Sequence, residues 1–165
     1  MTKVLRKYKK EEIATRILET AIDLFFSGGD GFSIIHLAAA SEEVVAGLLA
    51  RKVAVGGGIS SARERTISAL EEIHAVHGSK RTKKQIGTYL NFVRNQTKHH
   101  SPERDPTEIA VCLDLEVERA LLQAIENHIQ LFGTPTEKII RYINQSWTQI
   151  ASLRSAQPGG QPDLH

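Results

Sequence analysis

The 165-residue sequence predicts an all-α protein on three observations. Apolar residues recur three and four apart almost throughout, and alternation over four or more residues is nearly absent. Ser, Thr and Asp also stand with Glu or Gln partners at several points where a helix would begin. A hydrophobic share of 41% with 24% charged residues is that of a globular protein, and the length suits one core. The expected organisation is a single helical domain over 1–154 and a flexible tail over 155–165, where Pro158-Gly159-Gly160-Gln161-Pro162 cannot hold a helix.

Six helices are expected. The first runs from about Lys9 to Ser27 with Ile13, Ile17, Ala21, Leu24 and Phe25 as its apolar stripe, and Ser27-Gly28-Gly29-Asp30-Gly31 breaks it. The second, about Phe32 to Val53, carries Ala38, Ala39, Ala40, Ala46 and Gly47 among larger apolar residues. Small side chains at such spacing admit a close neighbour, so this helix is expected at the centre. Gly56-Gly57-Gly58 is a loop; it lacks the Lys-Ser/Thr of a phosphate loop and follows a helix.

The third helix begins after Ser61, whose partner Glu64 completes a capping box, and its stripe is Thr66, Ala69, Ile73 and Val76. Thr82 with Gln85 is a second box opening a fourth helix that runs toward His99 and stops before Pro102, because the residue before a proline avoids helical dihedrals. Asp105-Pro106-Thr107-Glu108 offers an N-cap, a first-turn proline and an acid for the fifth helix. Thr134-Pro135-Thr136-Glu137 repeats the device for the sixth, with Ile139, Ile143, Trp147, Ile150 and Leu153 on one face. There is no internal repeat.

Lys plus Arg number 21 against 19 Asp plus Glu, so the placement of charge must argue for any nucleic-acid partner. The single Cys112 excludes an internal disulfide framework and a Cys-rich zinc site, and it is expected to pack as a small apolar group. No run approaches the roughly 18 apolar residues of a membrane span, and the basic N-terminus lacks the apolar stretch of a signal peptide. A cytoplasmic protein without a membrane partner is expected.

The chemistry concentrates in the fourth helix. On a wheel of about 100° per residue, Ile86, Leu90, Val93 and Thr97 define its buried side, while Asn91, Arg94, Asn95, Lys98 and His99 sweep an outward arc bordered by Phe92. A permanent cation, an amide and an imidazole within two turns are the parts needed to grip a phosphodiester and move a proton without a metal or other cofactor. Arg94 would hold phosphate by a forked contact and stabilise its transition-state charge. His99, in the last turn, would act as acid or base, and Asn95 would orient either group. Phe92 lies where an RNA base could stack. It reads equally as an incidental aromatic on a solvated face. Lys80, Arg81, Lys83 and Lys84 crowd the start of this helix, where the dipole prefers acids. They read either as a solubilising face or as a phosphate-tracking patch, with Lys83 and Lys84 the RNA-binding candidates.

The run Asn91-Phe92-Val93-Arg94-Asn95-Gln96-Thr97-Lys98-His99-His100 resembles the Arg-x4-6-His signature of the HEPN superfamily, in which a polar residue commonly follows the Arg. The string continues into Glu103-Arg104-Asp105-Pro106, as in small bacterial HEPN-like proteins; the match is most specific over 91–106 and covers roughly 13–132 in general helical layout. The resemblance implies a dimeric helical bundle and a metal-independent endoribonuclease, with catalytic Arg94, Asn95 and His99 and auxiliary Lys98 and His100. It also implies a toxin or defence factor restrained by an antitoxin protein. His100 departs from the pattern, since it could replace His99 as the motif histidine. Arg94 and His99 stand about 140° apart on one helix, so a common site needs either local unwinding or a second copy across a two-fold axis.

The alternative is a catalytically inactive HEPN-like dimer, an adaptor whose polar face binds a protein or a nucleotide. A helix-turn-helix repressor fails because Ile34 to Leu49 is one long small-residue helix where a tight turn is needed. Glu71-Glu72-Ile73-His74 has the spacing of di-iron bundles but no partner motif, and no metal site is expected. His36, near Glu42 and Glu43, reads as a core histidine with a local hydrogen bond.

Overall fold

A computed structural model describes residues 5–54, 60–77, 79, 81–98 and 107–155, without the side chains at 53, 147 and 149–155. Among these residues there are seven helices and no strand: α1 (Lys10–Phe26), α2 (Gly31–Ala54), α3 (Ala62–Val76), α4 (Lys83–Leu90), α5 (Phe92–Lys98), α6 (Leu113–Phe132) and α7 (Glu137–Ser155). The all-α expectation holds. The triple-glycine loop, His99, His100, Asp105, Pro106, the segment from 156 and the Trp147, Ile150 and Leu153 stripe of the last helix lie outside the described residues or side chains.

The small residues of α2 do place it at the centre, packed against both α1 and α6. Ala38 is fully buried, and Ser41 donates its Oγ hydrogen to the Ala14 carbonyl at 2.9 Å, joining α1 to α2 where both side chains are small. Leu18, Ile22, Ile34, Ile35, Val117, Leu121 and Ile125 fill the main core, and α7 closes it with Ile139 and Tyr142. Ala14, Val45 and Leu49 form a second cluster. By length and composition α2 could cross a membrane, and in this bundle its Ile34, Ile35, Ala38, Val45 and Leu49 are buried in the core.

The close approach at Ser41 also corrects the register of α1. Its buried stripe is Ala14, Leu18, Ala21 and Ile22, one position round from the expected one, and Ile13 is 40% exposed. Several faces of α1 are apolar enough to be buried, and contact with α2 selects the one with Ala at the tightest point. The turn to α2 needs Gly28, at φ +67°, where L side chains are strained. Asp30 then caps α2, accepting from the Ser33 backbone N–H at 2.8 Å and its hydroxyl at 2.7 Å.

Both capping boxes form as expected, Ser61 with Glu64 and Thr82 with Gln85. The stripe expected on α3 does not: Ala69, Ile73 and Val76 are exposed, because the helix docks on the bundle through its first turns. There the Ala62 N–H donates to Asn127 Oδ1 of α6 at 2.6 Å. The fourth helix of the sequence reading is two helices, interrupted by a turn at Asn91. The bonds Asn91 N–H to Gly87 O and Asn95 N–H to Asn91 O carry the chain through the break, so Ile86, Leu90 and Val93 stay on one buried side. Thr97, expected to be buried with them, is exposed.

Thr107 and Glu108 are not helical; α6 starts only at Leu113, with Cys112 exposed at its N-cap rather than packed. The last helix starts at Glu137, beyond the Thr134-Pro135 pair expected to open it. It runs to Ser155, where the tail was expected to begin.

Candidate functional site

The outward face expected on the fourth helix exists, but its members separate. Phe92 is 41% exposed, and Asn95 and Lys98 are exposed on the same short helix, α5. Lys83 and Lys84 are exposed at the far end of α4, with Lys83 Nζ 3.6 Å from Glu71. Arg94 turns back toward the bundle, as Asn91 does: the Arg94 side chain is 18% exposed and forms an ion pair with Glu43 of α2. One turn further along α5, Thr97 Oγ is 2.8 Å from His36 Nε2 and also donates to the Val93 carbonyl. His36 and Glu43 are seven residues apart on one stripe of α2, and α5 lies along it.

Behind Arg94, Arg63 of α3 and Arg119 of α6 line a small cavity of about 30 Å³ with Glu42, Asn91 and Glu116. That volume is enough for about one or two waters, so an anion the size of phosphate has to sit at the rim. Gly87 lets Arg63 lie across α4: a Cβ there would come 3.3 Å from the guanidinium Nη2. Arg119 pairs with Glu116 on its own helix. The Nε–H groups of Arg63 and Arg119 are buried and have no hydrogen-bond partner among the described residues. Unpaired guanidinium donors at a buried position favour any oxyanion or water that can reach them.

Glu42 sets the charge of this cluster. It is 7% exposed and accepts from Asn127 Nδ2 at 3.2 Å, the same amide whose oxygen holds the start of α3. Burial pushes its carboxyl pKa up, and the neighbouring Glu43 adds to the rise; Arg63, Arg94 and the Asn127 hydrogen bond pull the other way. Three guanidiniums thus face three carboxylates, and the cluster turns net positive whenever Glu42 holds a proton.

Of the expected site residues that are described, Arg94 alone enters this seam. Asn91 lines the cavity where Asn95 was expected to act, and Asn95 faces solvent. His99 follows the last described residue of α5, so it and His100 fall outside the described residues. Sequence reasoning missed Glu43, Arg63, Arg119 and Glu116 as neighbours of Arg94, and it placed the hydrogen bond of His36 within its own helix rather than across to α5. One signal was available: two adjacent acids inside an otherwise apolar helix require partners, and a buried carboxylate is costly without them. Comparison with protein-family models, curated proteins and solved structures finds no match to this chain.

Proposed function

We propose that the chain is a HEPN-like dimer that binds RNA at the Arg94 seam and cleaves it as a metal-independent endoribonuclease in the cytoplasm. The observation that carries the reading is the gathering of Arg63, Arg94 and Arg119 around one cavity beside the motif helix, with two of their N–H donors unpartnered. A phosphodiester at the rim takes Glu43's place on Arg94, and the exposed Phe92 offers a base a stacking surface. His99 acts as acid or base: as base it takes the ribose 2′-hydroxyl proton while that oxygen attacks phosphorus and water protonates the departing 5′-oxygen, and as acid it protonates the 5′-oxygen while water takes the 2′-hydroxyl proton. The products are a 2′,3′-cyclic phosphate and a 5′-hydroxyl. On an undistorted helix Arg94 and His99 would stand about 140° apart, so in this reading the partner chain supplies the second group. The physiological role in this reading is a toxin or defence factor held by an antitoxin.

A second reading has its own support: Arg94 is already neutralised by Glu43, as befits an adaptor that binds a protein or nucleotide without catalysis. Incubating the purified protein with RNA in EDTA separates the two. The ribonuclease gives fragments with cyclic-phosphate ends, and both Arg94→Ala and His99→Ala abolish them at unchanged helical content. Intact RNA after incubation with the wild type would leave the adaptor.

A further inference from the structure

On the side of the bundle formed by the α1–α2 turn, α6 and α7 lies a cavity of about 570 Å³. Its size is that of small-molecule sites, which commonly span about 300–1,000 Å³. The walls are chemically uneven. Phe25, half-buried, presents aromatic surface and packs edge to face at 5.1 Å against the buried Tyr142 ring, and the half-buried Leu113 adds an apolar patch. Asp114 and Glu118 stand one turn apart on α6 and both line the cavity, whereas among the described residues no Lys, Arg or His does. Among the described residues neither carboxylate forms an ion pair. Ser146 supplies a hydroxyl at the α7 wall.

Burial pushes the Tyr142 phenol pKa up; a hydrogen bond with Ser146 opposes this, and the Glu118 carboxylate adds to the rise. The Glu118 charge is therefore felt at the aromatic wall. Two carboxylates and the Phe25 ring around one cavity, with no ion pair to either carboxylate and no cation in the lining among the described residues, complement a positively charged organic group. A cation gains both from the carboxylates and from the negative face of the Phe25 ring, while its apolar part covers Leu113. A metal ion would use only the carboxylates.

We propose that this cavity binds a small organic ammonium ion, its charged nitrogen between Asp114 and Glu118 and its hydrocarbon part against Phe25 and Leu113. The site uses no residue of the Arg94 seam and stands whether or not the chain cleaves RNA.

The probe pair is 2-phenylethylammonium and its neutral analogue 2-phenylethanol, titrated calorimetrically into the full chain at neutral pH. Saturable binding is expected for the ammonium ion and at least tenfold weaker binding for the alcohol. Glu118→Gln removes an exposed carboxylate and weakens the ammonium ion several-fold, with little change for the alcohol and an unchanged Tm. Amide shifts in an NMR titration should centre on Phe25, Leu113 and Tyr142. Equal affinity for the two probes, no saturation with the ammonium ion, or shifts centred elsewhere would each overturn the proposal.

Discussion

The two sides of α2 work by different physics. Ile34, Ala38, Ser41, Val45 and Leu49 form one stripe, and His36 with Glu43 falls about 180° away on a helical wheel. The first stripe is buried at 4% exposure or less and is dry apart from the hydroxyl of Ser41, which is satisfied by a carbonyl. The second meets α5 through an ion pair and an imidazole–hydroxyl contact. Glu42 sits between them, buried yet acidic. The dense side holds the bundle together by removing apolar surface from water, which is non-directional and tolerant of which helix supplies it. The polar side depends on particular donors and acceptors meeting, and it can exchange a protein carboxylate for a ligand's oxyanion. The contrast puts apolar packing on one side of α2 and polar contacts, where the proposed RNA site lies, on the other.

Three changes sharpen that division, in descending order of expected effect. Leu18 is completely buried in the main core, and Leu18→Ala is expected to cost about 3–5 kcal/mol, read as a lowered denaturant midpoint. A loss near zero would mean that the dense side is not where stability resides.

Glu42→Gln has a smaller effect that depends on pH. The folded-state pKa of Glu42 is raised above its ordinary value of 4.5, so the folded chain holds this proton more tightly than the unfolded one. Its contribution is full below about 4.5 and is lost as pH climbs through the raised value. Glutamine keeps an oxygen for Asn127 and carries no charge, so the variant should gain on the wild type between acid and neutral pH in denaturation curves. A constant difference across that range would contradict the account.

Val76 is 83% exposed at the end of α3, and Val76→Ala should change stability by less than about 0.5 kcal/mol. A large loss would show that a partner or a second copy covers that end in solution.

What the sequence disclosed follows from range. The capping boxes at Ser61 and Thr82 were legible because both partners lie within one turn, and the outward setting of Phe92, Asn95 and Lys98 follows from helical period alone. The central position of α2 was legible from its alanines. The register of α1 was not, because Ile13 and Leu18 are equally apolar and only contact with Ser41 of α2 decides between faces. The Asp-Pro signal near residue 105 misplaced the start of α6, where the chain through Glu108 to Val111 is not helical. The site was half visible: Arg94 stood out by its neighbours in sequence, but Glu43 lies 51 residues away from it in the chain. No local pattern joins that pair, or brings Arg63 and Arg119 to the same cavity.

The central claim is that the Arg94 seam takes a phosphate in place of Glu43. Affinity for a labelled single-stranded RNA, measured against salt concentration with wild type, Arg94→Gln and Glu43→Gln, tests it most directly. The account predicts tighter binding for Glu43→Gln, because the guanidinium is freed. For Arg94→Gln it predicts weaker binding, with a slope of log K against log salt shallower by about 0.7. Identical affinity and slope in all three proteins would show that RNA, if bound at all, is held elsewhere.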